Sequence, residues 1–171
     1  MRTIEPTLSF APELLLRARG PGAGIRAAIF DVDGVLTDGT IYMGEHGEVV
    51  KAFSTLDGHG LKLLARGGIL PLVVTGRDSP GVRRRIADLG IEWDALAVMG
   101  DDWPDLPLLV RAAFACAPPN AHVEVRAIAD HVTRAHAGFG AARECCDLLL
   151  TAAGRYAELL RADPITLDRA G

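Results

Sequence analysis

Two pairs of aspartates, Asp31 with Asp33 and Asp101 with Asp102, are the residues of this chain whose types and spacing suggest chemistry. One residue separates Asp31 from Asp33, so on an extended strand end both side chains point to the same side. This spacing lets one carboxylate attack a substrate while the other moves a proton. Four carboxylates in one place repel each other unless a hard cation is present, and oxygen ligands of this kind select Mg²⁺, which usually arrives with a phosphate.

Each pair follows a short apolar run, at residues 27–30 and 96–99, and a third run at 69–74 ends at Thr75. Such runs, which stop abruptly at polar residues, are typical of buried strands that run into loops. In open α/β sheets ligands bind beyond the carboxyl ends of the strands, so the three polar clusters should converge at one edge. Asp105 has two open interpretations, as a cap of the following helix or as a further acid of this edge.

The remaining pattern alternates strands with helices, which predicts an α/β fold with a doubly wound parallel sheet and helices on both faces. A β-hairpin is expected at 40–53, directly after the first strand. Further strands are predicted at 114–117 and 131–133, and helices at 13–19, 57–66, 79–89, 104–113, 121–129 and 140–161, the last with Gly154 as a weak point.

The length of 171 residues fits one domain. Prolines and glycines are frequent in residues 1–24, which are interpreted as an N-terminal arm, followed by a single domain at 25–162 and a tail at 163–171. Apolar residues make up 49% and charged residues 23%, close to the average of folded globular proteins.

Charge and cysteine content exclude several classes of function. Lys and Arg total 18 against 22 for Asp and Glu, so no basic excess is available to bind nucleic acid or an anionic membrane. The N-terminus lacks a signal-peptide core, and a cytoplasmic location is expected. The three cysteines, an odd number without a CxxC spacing, argue against a disulfide framework and a zinc site.

The sequence DVDGVLTD at 31–38, followed by Thr75-Gly76 and then by Gly100-Asp101-Asp102, resembles the first, second and fourth motifs of the haloacid dehalogenase superfamily. The hairpin after this sequence, the segment LDGHG at 56–60, TGR at 75–77 and RECCDLL at 143–149 further resemble the 3-deoxy-D-manno-octulosonate 8-phosphate phosphatases. The resemblance covers about residues 25–160 and implies the superfamily core without a cap domain.

The resemblance implies a Mg²⁺-dependent phosphatase that acts on a sugar acid phosphate in lipopolysaccharide biosynthesis. Asp31 is then the nucleophile that forms an aspartyl-phosphate, and Asp33 is the acid and base, with its backbone carbonyl on the metal. Asp101 completes the metal site with Asp31 and Asp33, Asp102 is a supporting acid, and Thr75 binds the transferred phosphoryl group.

The resemblance also implies a substrate-binding set and a partner. Family members without a cap use the hairpin to form a homotetramer whose subunits complete each other's sites, so a homotetramer is expected. The substrate-binding residues implied are Ser54, Thr55, Leu56, Asp57, Gly58, Lys62, Thr75, Gly76, Arg77 and Arg85.

Three departures from the family pattern qualify this implication. Only 24 positions separate Gly76 from Gly100, enough for one helix and one strand, so the third-motif segment with its Lys is expected to be absent. Its absence could be natural, engineered or a sequence error, and Arg77 and Arg85 are the nearest replacements for the lysine. Leu56 stands where family members often have Arg, and Phe139 stands in a turn that is usually Gly-Gly-Arg-Gly. The alternatives are a phosphatase for another sugar acid phosphate or of low specificity, and an impaired member that binds ligands or forms oligomers.

Overall fold

The computed structural model describes residues 4–75 and 79–167, and within these it contains seven strands. In chain order they are β1 (Ala27–Asp31), β2 (Tyr42–Gly44), β3 (Gly47–Val50), β4 (Leu70–Val74), β5 (Leu96–Met99), β6 (Phe114–Ala117) and β7 (His131–Val132). Five of them form a parallel sheet in the order β4-β1-β5-β6-β7, whereas β2 and β3 form the antiparallel hairpin. The predicted parallel sheet and the hairpin after the first strand are therefore confirmed.

Helices connect these strands and cover the sheet. They are α1 (Pro12–Arg19), α2 (Thr55–Arg66), α3 (Ser79–Asp88), α4 (Leu106–Leu109), α5 (Val123–Ile128), α6 (Ala141–Ala152) and α7 (Tyr156–Leu167). The single C-terminal helix predicted at 140–161 is instead two helices, because Gly154 adopts a φ of +71° at the break. The helix predicted at 104–113 is a 3-10 turn followed by α4 and ends at Leu109.

Two apolar cores lie on opposite faces of the sheet. Successive side chains of a strand point to opposite faces. Ala28 and Phe30 of β1 pack in a core with α1, α2 and α6, whereas Ala27 and Ile29 pack in a second core with α3, α4 and α5. This arrangement confirms the doubly wound architecture.

The strand predicted at 69–74 is present as β4, but the prediction that it is buried is wrong. β4 is the last strand at one side of the sheet, and its side chains of Leu70 and Val73 are 41% and 50% exposed. Among the described residues between 79 and 100 the structure has α3, a 3-10 turn at Trp93–Ala95 and β5, and β5 pairs with the other side of β1. Within the described residues no strand covers the outer edge of β4.

Part of the segment predicted as an N-terminal arm is docked on the domain. Leu14, Leu15 and Ala18 of α1 share one helical face and pack on the core that contains α6, with Ala18 only 1% exposed. Leu16, on the opposite face, is exposed. No helix among the described residues has the length and apolar character that crossing a bilayer requires.

The docking of α1 predicts a position-specific loss of stability. Ala18→Glu places a carboxylate in the core and overpacks it, so the free energy of unfolding should fall by about 2 kcal/mol or more. Leu16→Glu, on the exposed face, should change it by less than about 0.5 kcal/mol. Urea denaturation followed by circular dichroism compares the two variants, and equal stabilities would contradict the docking of α1.

Candidate active site

Three adjacent strands bring polar residues to one edge of the sheet. β1 lies between β4 and β5 and runs parallel to both. Asp31 is the last residue of β1, Thr75 is the first residue after β4, and Asp101 is the second residue after β5. The predicted convergence of these three clusters is confirmed.

A tight turn at Val32–Leu36 follows Asp31 and depends on Gly34. Gly34 has a φ of +100°, a backbone conformation that residues with a Cβ rarely adopt. A Cβ at this position would lie 2.1 Å from Oδ2 of Asp101. Glycine therefore allows the loops after β1 and β5 to approach each other.

The hydroxyl group of Thr37 holds this turn closed. It donates to the carbonyl oxygen of Val32 at 3.2 Å and accepts from the backbone N–H groups of Gly34 and Gly39 at 3.4 and 3.3 Å. Thr37 is buried, so these bonds are shielded from competing water. The turn is thus fixed by local hydrogen bonds rather than by a substrate.

Asp31, Asp101 and Asp105 form a cluster of three carboxylates. One oxygen atom from each lies within 4.8 Å of the others. Burial first, and then the charge of Asp105, raises the pKa of Asp31 to about 7. Burial, followed by the charges of Asp105 and Asp31, raises the pKa of Asp101 to about 7 as well. Three half-buried oxygen donors that repel each other fit a small divalent cation with oxygen ligands.

Asp105 fulfils both interpretations that the sequence left open. Its Oδ2 accepts the backbone N–H groups of Asp101 at 2.9 Å and Asp102 at 3.3 Å, which caps the 3-10 turn before α4. The same carboxylate is the third member of the cluster. Its spacing of four residues from Asp101 at a helix start is the signal that could have placed it in the site. Asp102 itself is exposed, and its charge contributes to the raised pKa of Asp101.

Lys51 contacts this edge, and sequence reasoning missed it. Its Nζ lies 2.7 Å from Oδ1 and 2.9 Å from Oδ2 of Asp33, and 3.8 Å from a carboxylate oxygen of Glu48. Lys51 follows β3 directly, and the hairpin starts a few residues after the turn that contains Asp33. Because a hairpin returns the chain to where it left, its last residues could have been expected beside Asp33.

The predicted substrate-binding residues 54–58 form the start of α2. The side chain of Ser54 accepts the N–H of Leu56 at 3.2 Å and caps the helix, and Leu56 is exposed. The carboxylate of Asp57 is buried and accepts the backbone N–H groups of Gly140 at 3.2 Å and Arg143 at 2.7 Å. Asp57 therefore ties α2 to the start of α6, and its contact with a substrate stays a prediction.

The other predicted substrate contacts are dispersed. Lys62 is exposed on α2 and Arg85 is exposed on α3. Thr75 is exposed at the end of β4, beside the end of β1. Gly76 and Arg77 lie outside the described residues. The structure thus brings together Asp31, Asp33, Thr75 and Asp101 and leaves Lys62 and Arg85 on helix surfaces.

The chain is similar in sequence to known hydrolases. Residues 79–144 match the family model of haloacid dehalogenase-like hydrolases. A 3-deoxy-D-manno-octulosonate 8-phosphate phosphatase of Haemophilus influenzae is 38% identical over 154 positions, which cover 77% of this chain and 86% of that protein. The chain belongs to the family of 3-deoxy-D-manno-octulosonate 8-phosphate phosphatases.

Solved structures of this phosphatase family have the same fold. A probable YrbI family phosphatase of Pseudomonas syringae pv. phaseolica is 36% identical, with a TM-score of 0.78 over 92% of this chain and 98% of that one. The enzyme of Moraxella catarrhalis, in complex with a magnesium ion, a phosphate ion and KDO, is 33% identical, with a TM-score of 0.74 over 86% of this chain and 96% of that one.

The alignment with the Haemophilus influenzae phosphatase indicates that this chain is shorter within the aligned region. The 154 aligned positions include only about 132 residues of this chain, which is 77% of 171. The Haemophilus influenzae phosphatase therefore has about 20 additional residues within the aligned region. This surplus is about the size of one short strand and helix, the unit expected between the second and fourth motifs of the phosphatase family.

The cluster predicts a pH-dependent stability that a divalent cation should suppress. In the metal-free chain Asp31 and Asp101 have a pKa of about 7 when folded, against 3.8 as the ordinary value, so the folded state binds protons more tightly. Their contribution to stability is therefore greatest below about pH 4 and is lost as the pH rises towards about 7. We expect the Tm in chelator to fall between about pH 5 and 8, and Mg²⁺ to raise it most at pH 8.

Asp101→Asn should flatten this pH dependence and reduce the stabilisation by Mg²⁺, because it removes one charge of the cluster. Asp94→Asn, at an exposed position away from the cluster, is the matched control and should leave both unchanged. Thermal melts by circular dichroism at constant ionic strength measure these effects. A Tm of the unsubstituted chain that stays constant over this pH range would contradict the repulsion described for the cluster.

Proposed function

We propose that this phosphoric monoester hydrolase cleaves 3-deoxy-D-manno-octulosonate 8-phosphate to the free sugar acid and phosphate, through an aspartyl-phosphate on Asp31. The observation that carries this proposal is the cluster of Asp31, Asp101 and Asp105 beside Asp33 at the carboxyl edge of the sheet. The family relationship to phosphatases for this substrate supports it. The magnesium, phosphate and KDO bound by the Moraxella catarrhalis enzyme support the same assignment.

The cluster fits Mg²⁺ as the cofactor. The carboxylates of Asp31, Asp101 and Asp105 would hold it, since hard carboxylate oxygens are its preferred ligands, together with the backbone carbonyl of Asp33 that the family resemblance implies. When bound, the ion neutralises charge on the phosphoryl oxygens and keeps the carboxylates of its ligands deprotonated. Without it, a nucleophile with a pKa of about 7 is partly protonated at neutral pH, and the protonated fraction cannot attack.

The two aspartates of the turn have environments that suit different roles. Asp31 is half-buried within the carboxylate cluster, at the end of a rigid strand, so its position suits in-line attack on phosphorus. Asp33 is more exposed and lies outside that cluster, where its carboxylate can protonate the leaving oxygen and later activate water. The turn held by Gly34 and Thr37 fixes the separation of the two groups.

An open cavity of about 570 Å³ lies beside the segment that follows the turn after β1. It is lined by Asp38, Asn120, His136, Ala137 and Phe139. The loop that carries Phe139 packs on the turn after β1, since the N–H of Gly138 donates to the carbonyl oxygen of Val35 at 3.1 Å. We propose this cavity as the place of the sugar acid.

Two exposed apolar residues near this cavity favour a second candidate function. This candidate is a phosphatase for another sugar acid phosphate or of low specificity. Leu56 and Phe139 are 56% and 69% exposed, and the start of α6 at Gly140 lies next to the Leu56 side chain. Leu56 stands where the phosphatase family often has Arg, and Phe139 stands in a turn that is usually Gly-Gly-Arg-Gly, so positive charge that the family usually has here is missing. A panel of sugar acid phosphates, ranked by kcat/KM, decides between the two candidates.

The proposed mechanism predicts that Asp31→Asn lowers turnover by several orders of magnitude while the fold is retained, because the amide has the shape of the carboxylate but is no nucleophile. Chelation of Mg²⁺ should have the same effect. Release of phosphate from para-nitrophenyl phosphate measures both, and circular dichroism verifies folding. Unchanged activity in either experiment would refute the aspartyl-phosphate mechanism.

We further propose that the chain forms a homotetramer through its hairpin. The apolar residues of this segment are largely exposed, and they are Ile41, Tyr42, Met43, Val49, Val50 and Phe53. A two-stranded hairpin cannot bury these side chains within itself, and exposed apolar side chains concentrated in one segment are typical of an interface. The use of the hairpin for tetramer formation in family members without a cap domain agrees with this proposal.

The proposed assembly predicts that the double variant Met43→Glu and Val49→Glu is monomeric, because it places charges in the buried interface. Leu16→Glu, an equally drastic change at an exposed site on α1, should leave the tetramer intact. Light scattering coupled to size-exclusion chromatography at micromolar concentration measures the mass. A monomeric mass for the unsubstituted chain would contradict the proposal.

A further inference from the structure

The carboxyl edge of the sheet carries an excess of negative charge. Asp31, Asp33, Asp101, Asp102 and Asp105 all lie in this region, and a phosphate monoester brings up to two further negative charges. One divalent cation neutralises only part of this charge. Transfer of a phosphoryl group also requires positive charge on its equatorial oxygens, which a fixed cationic side chain can supply.

The cationic side chain of Lys51 is in a position to supply this positive charge. Its ammonium group contacts both carboxylate oxygens of Asp33, at 2.7 and 2.9 Å, and is therefore next to the residue assigned to the leaving oxygen. The hydrogen bond to Asp33 raises the pKa of Lys51, and the charge of Asp31 raises it further. A lysine ammonium group is charged at neutral pH, and its contact with Asp33 places this charge beside the turn that follows the nucleophile.

The arginines that the sequence suggested as replacements for the missing lysine have less support. Arg85 is exposed on α3 and forms no ion pair with the aspartates of the edge within the described part of the chain. Arg77 lies outside the described residues. Lys62, the other lysine of the sequence, is exposed on α2.

The ion pair of Lys51 with Asp33 can exchange partners at low cost. The two side chains are 31% and 49% exposed, and pairs of this exposure contribute little to stability because water competes for both charges. A phosphoryl group beside Asp33 carries more negative charge than one carboxylate. The ammonium group can therefore turn to it without a change in the backbone of the hairpin.

We propose that Lys51 is a catalytic residue that contacts the phosphoryl group of the substrate and takes the place of the third-motif lysine. This inference rests on the proposed phosphatase function. It assigns a second task to the hairpin, which delivers a positive charge to the site in addition to its apolar surface. The phosphoryl group of any phosphate monoester, rather than its sugar, is the part that Lys51 recognises.

Steady-state kinetics with para-nitrophenyl phosphate and Mg²⁺ are the first test. Lys51→Met should lower kcat/KM at least tenfold, whereas Lys51→Arg, which keeps the charge, should retain at least a third of it. Arg155→Met is the matched control, since it breaks an exposed ion pair with Glu158 far along the chain and should leave kcat/KM unchanged. A value for Lys51→Met within twofold of the unsubstituted chain would overturn the proposal.

Binding of inorganic phosphate separates direct contact from mere positioning of Asp33. Calorimetric titration with phosphate and Mg²⁺ should show about a tenfold weaker Kd for Lys51→Met. The same loss should appear when Lys51→Met is added to Asp33→Asn, because contact with the phosphoryl group does not need Asp33. If Lys51→Met has no effect in the Asp33→Asn background, Lys51 acts only through Asp33 and the proposal is wrong.

The replacement of the third-motif lysine has its own test. In a version of the chain with a family-like third-motif segment inserted after Ala95, Lys51→Met should lower kcat/KM less than it does in the present chain. An equal loss in both versions would contradict the replacement. If the unsubstituted chain releases no phosphate from any monoester, the proposed function fails, and the phosphate titrations still decide whether Lys51 binds the anion.

Discussion

Mutual repulsion among three half-buried carboxylates is the constraint on which the rest of this structure depends. Asp31 ends β1, Asp101 and Asp105 follow β5, and both burial and the proximity of like charges disfavour the ionised forms of these residues. The protein holds them together with rigid elements: two central strands, a glycine that lets the loops approach, and two backbone N–H groups that bond the carboxylate of Asp105. A site held in this way is preorganised for a divalent cation and for the phosphate that accompanies it.

The same need for positive charge connects the hairpin to the chemistry. The chain forms the hairpin after the turn that bears Asp33, and Lys51, directly after the hairpin, contacts the carboxylate of Asp33. On the other side of β1, β4 is the edge strand, and no other strand of the described residues covers its outer edge. Few residues remain between the second and fourth motifs to form such a strand. The short connection and the position of Lys51 thus concern one question, how a phosphatase of this family functions with about 20 residues fewer than its relative.

Several residues near the site serve the fold first. Asp57 has the position of a substrate contact in the family, but its carboxylate bonds two backbone N–H groups at the start of α6. Thr37 likewise closes the turn after β1. Such residues place α2, α6 and the loop of Phe139 around the mouth of the site. Under the proposed function, selectivity for the sugar would depend on exposed side chains such as Leu56 and Phe139, which can change without loss of the core.

The amino-acid sequence by itself determined the sheet, its strand bounds within one or two residues, and the meeting of Asp31, Thr75 and Asp101 at one edge. These features follow from local rules: apolar runs form strands, and parallel strands end on the same side. The sequence also marked Gly154 as the weak point at which the last helix divides. Only the tertiary structure decided that β4 lies at the edge and that α1 packs on α6. It also decided that Asp105 joins the carboxylate cluster and that Lys51 meets Asp33, two contacts for which the spacing of Asp105 and the return of the hairpin gave only a partial signal. These outcomes depend on which distant segments fill the space beside a residue, and neither periodicity nor spacing along the chain encodes that.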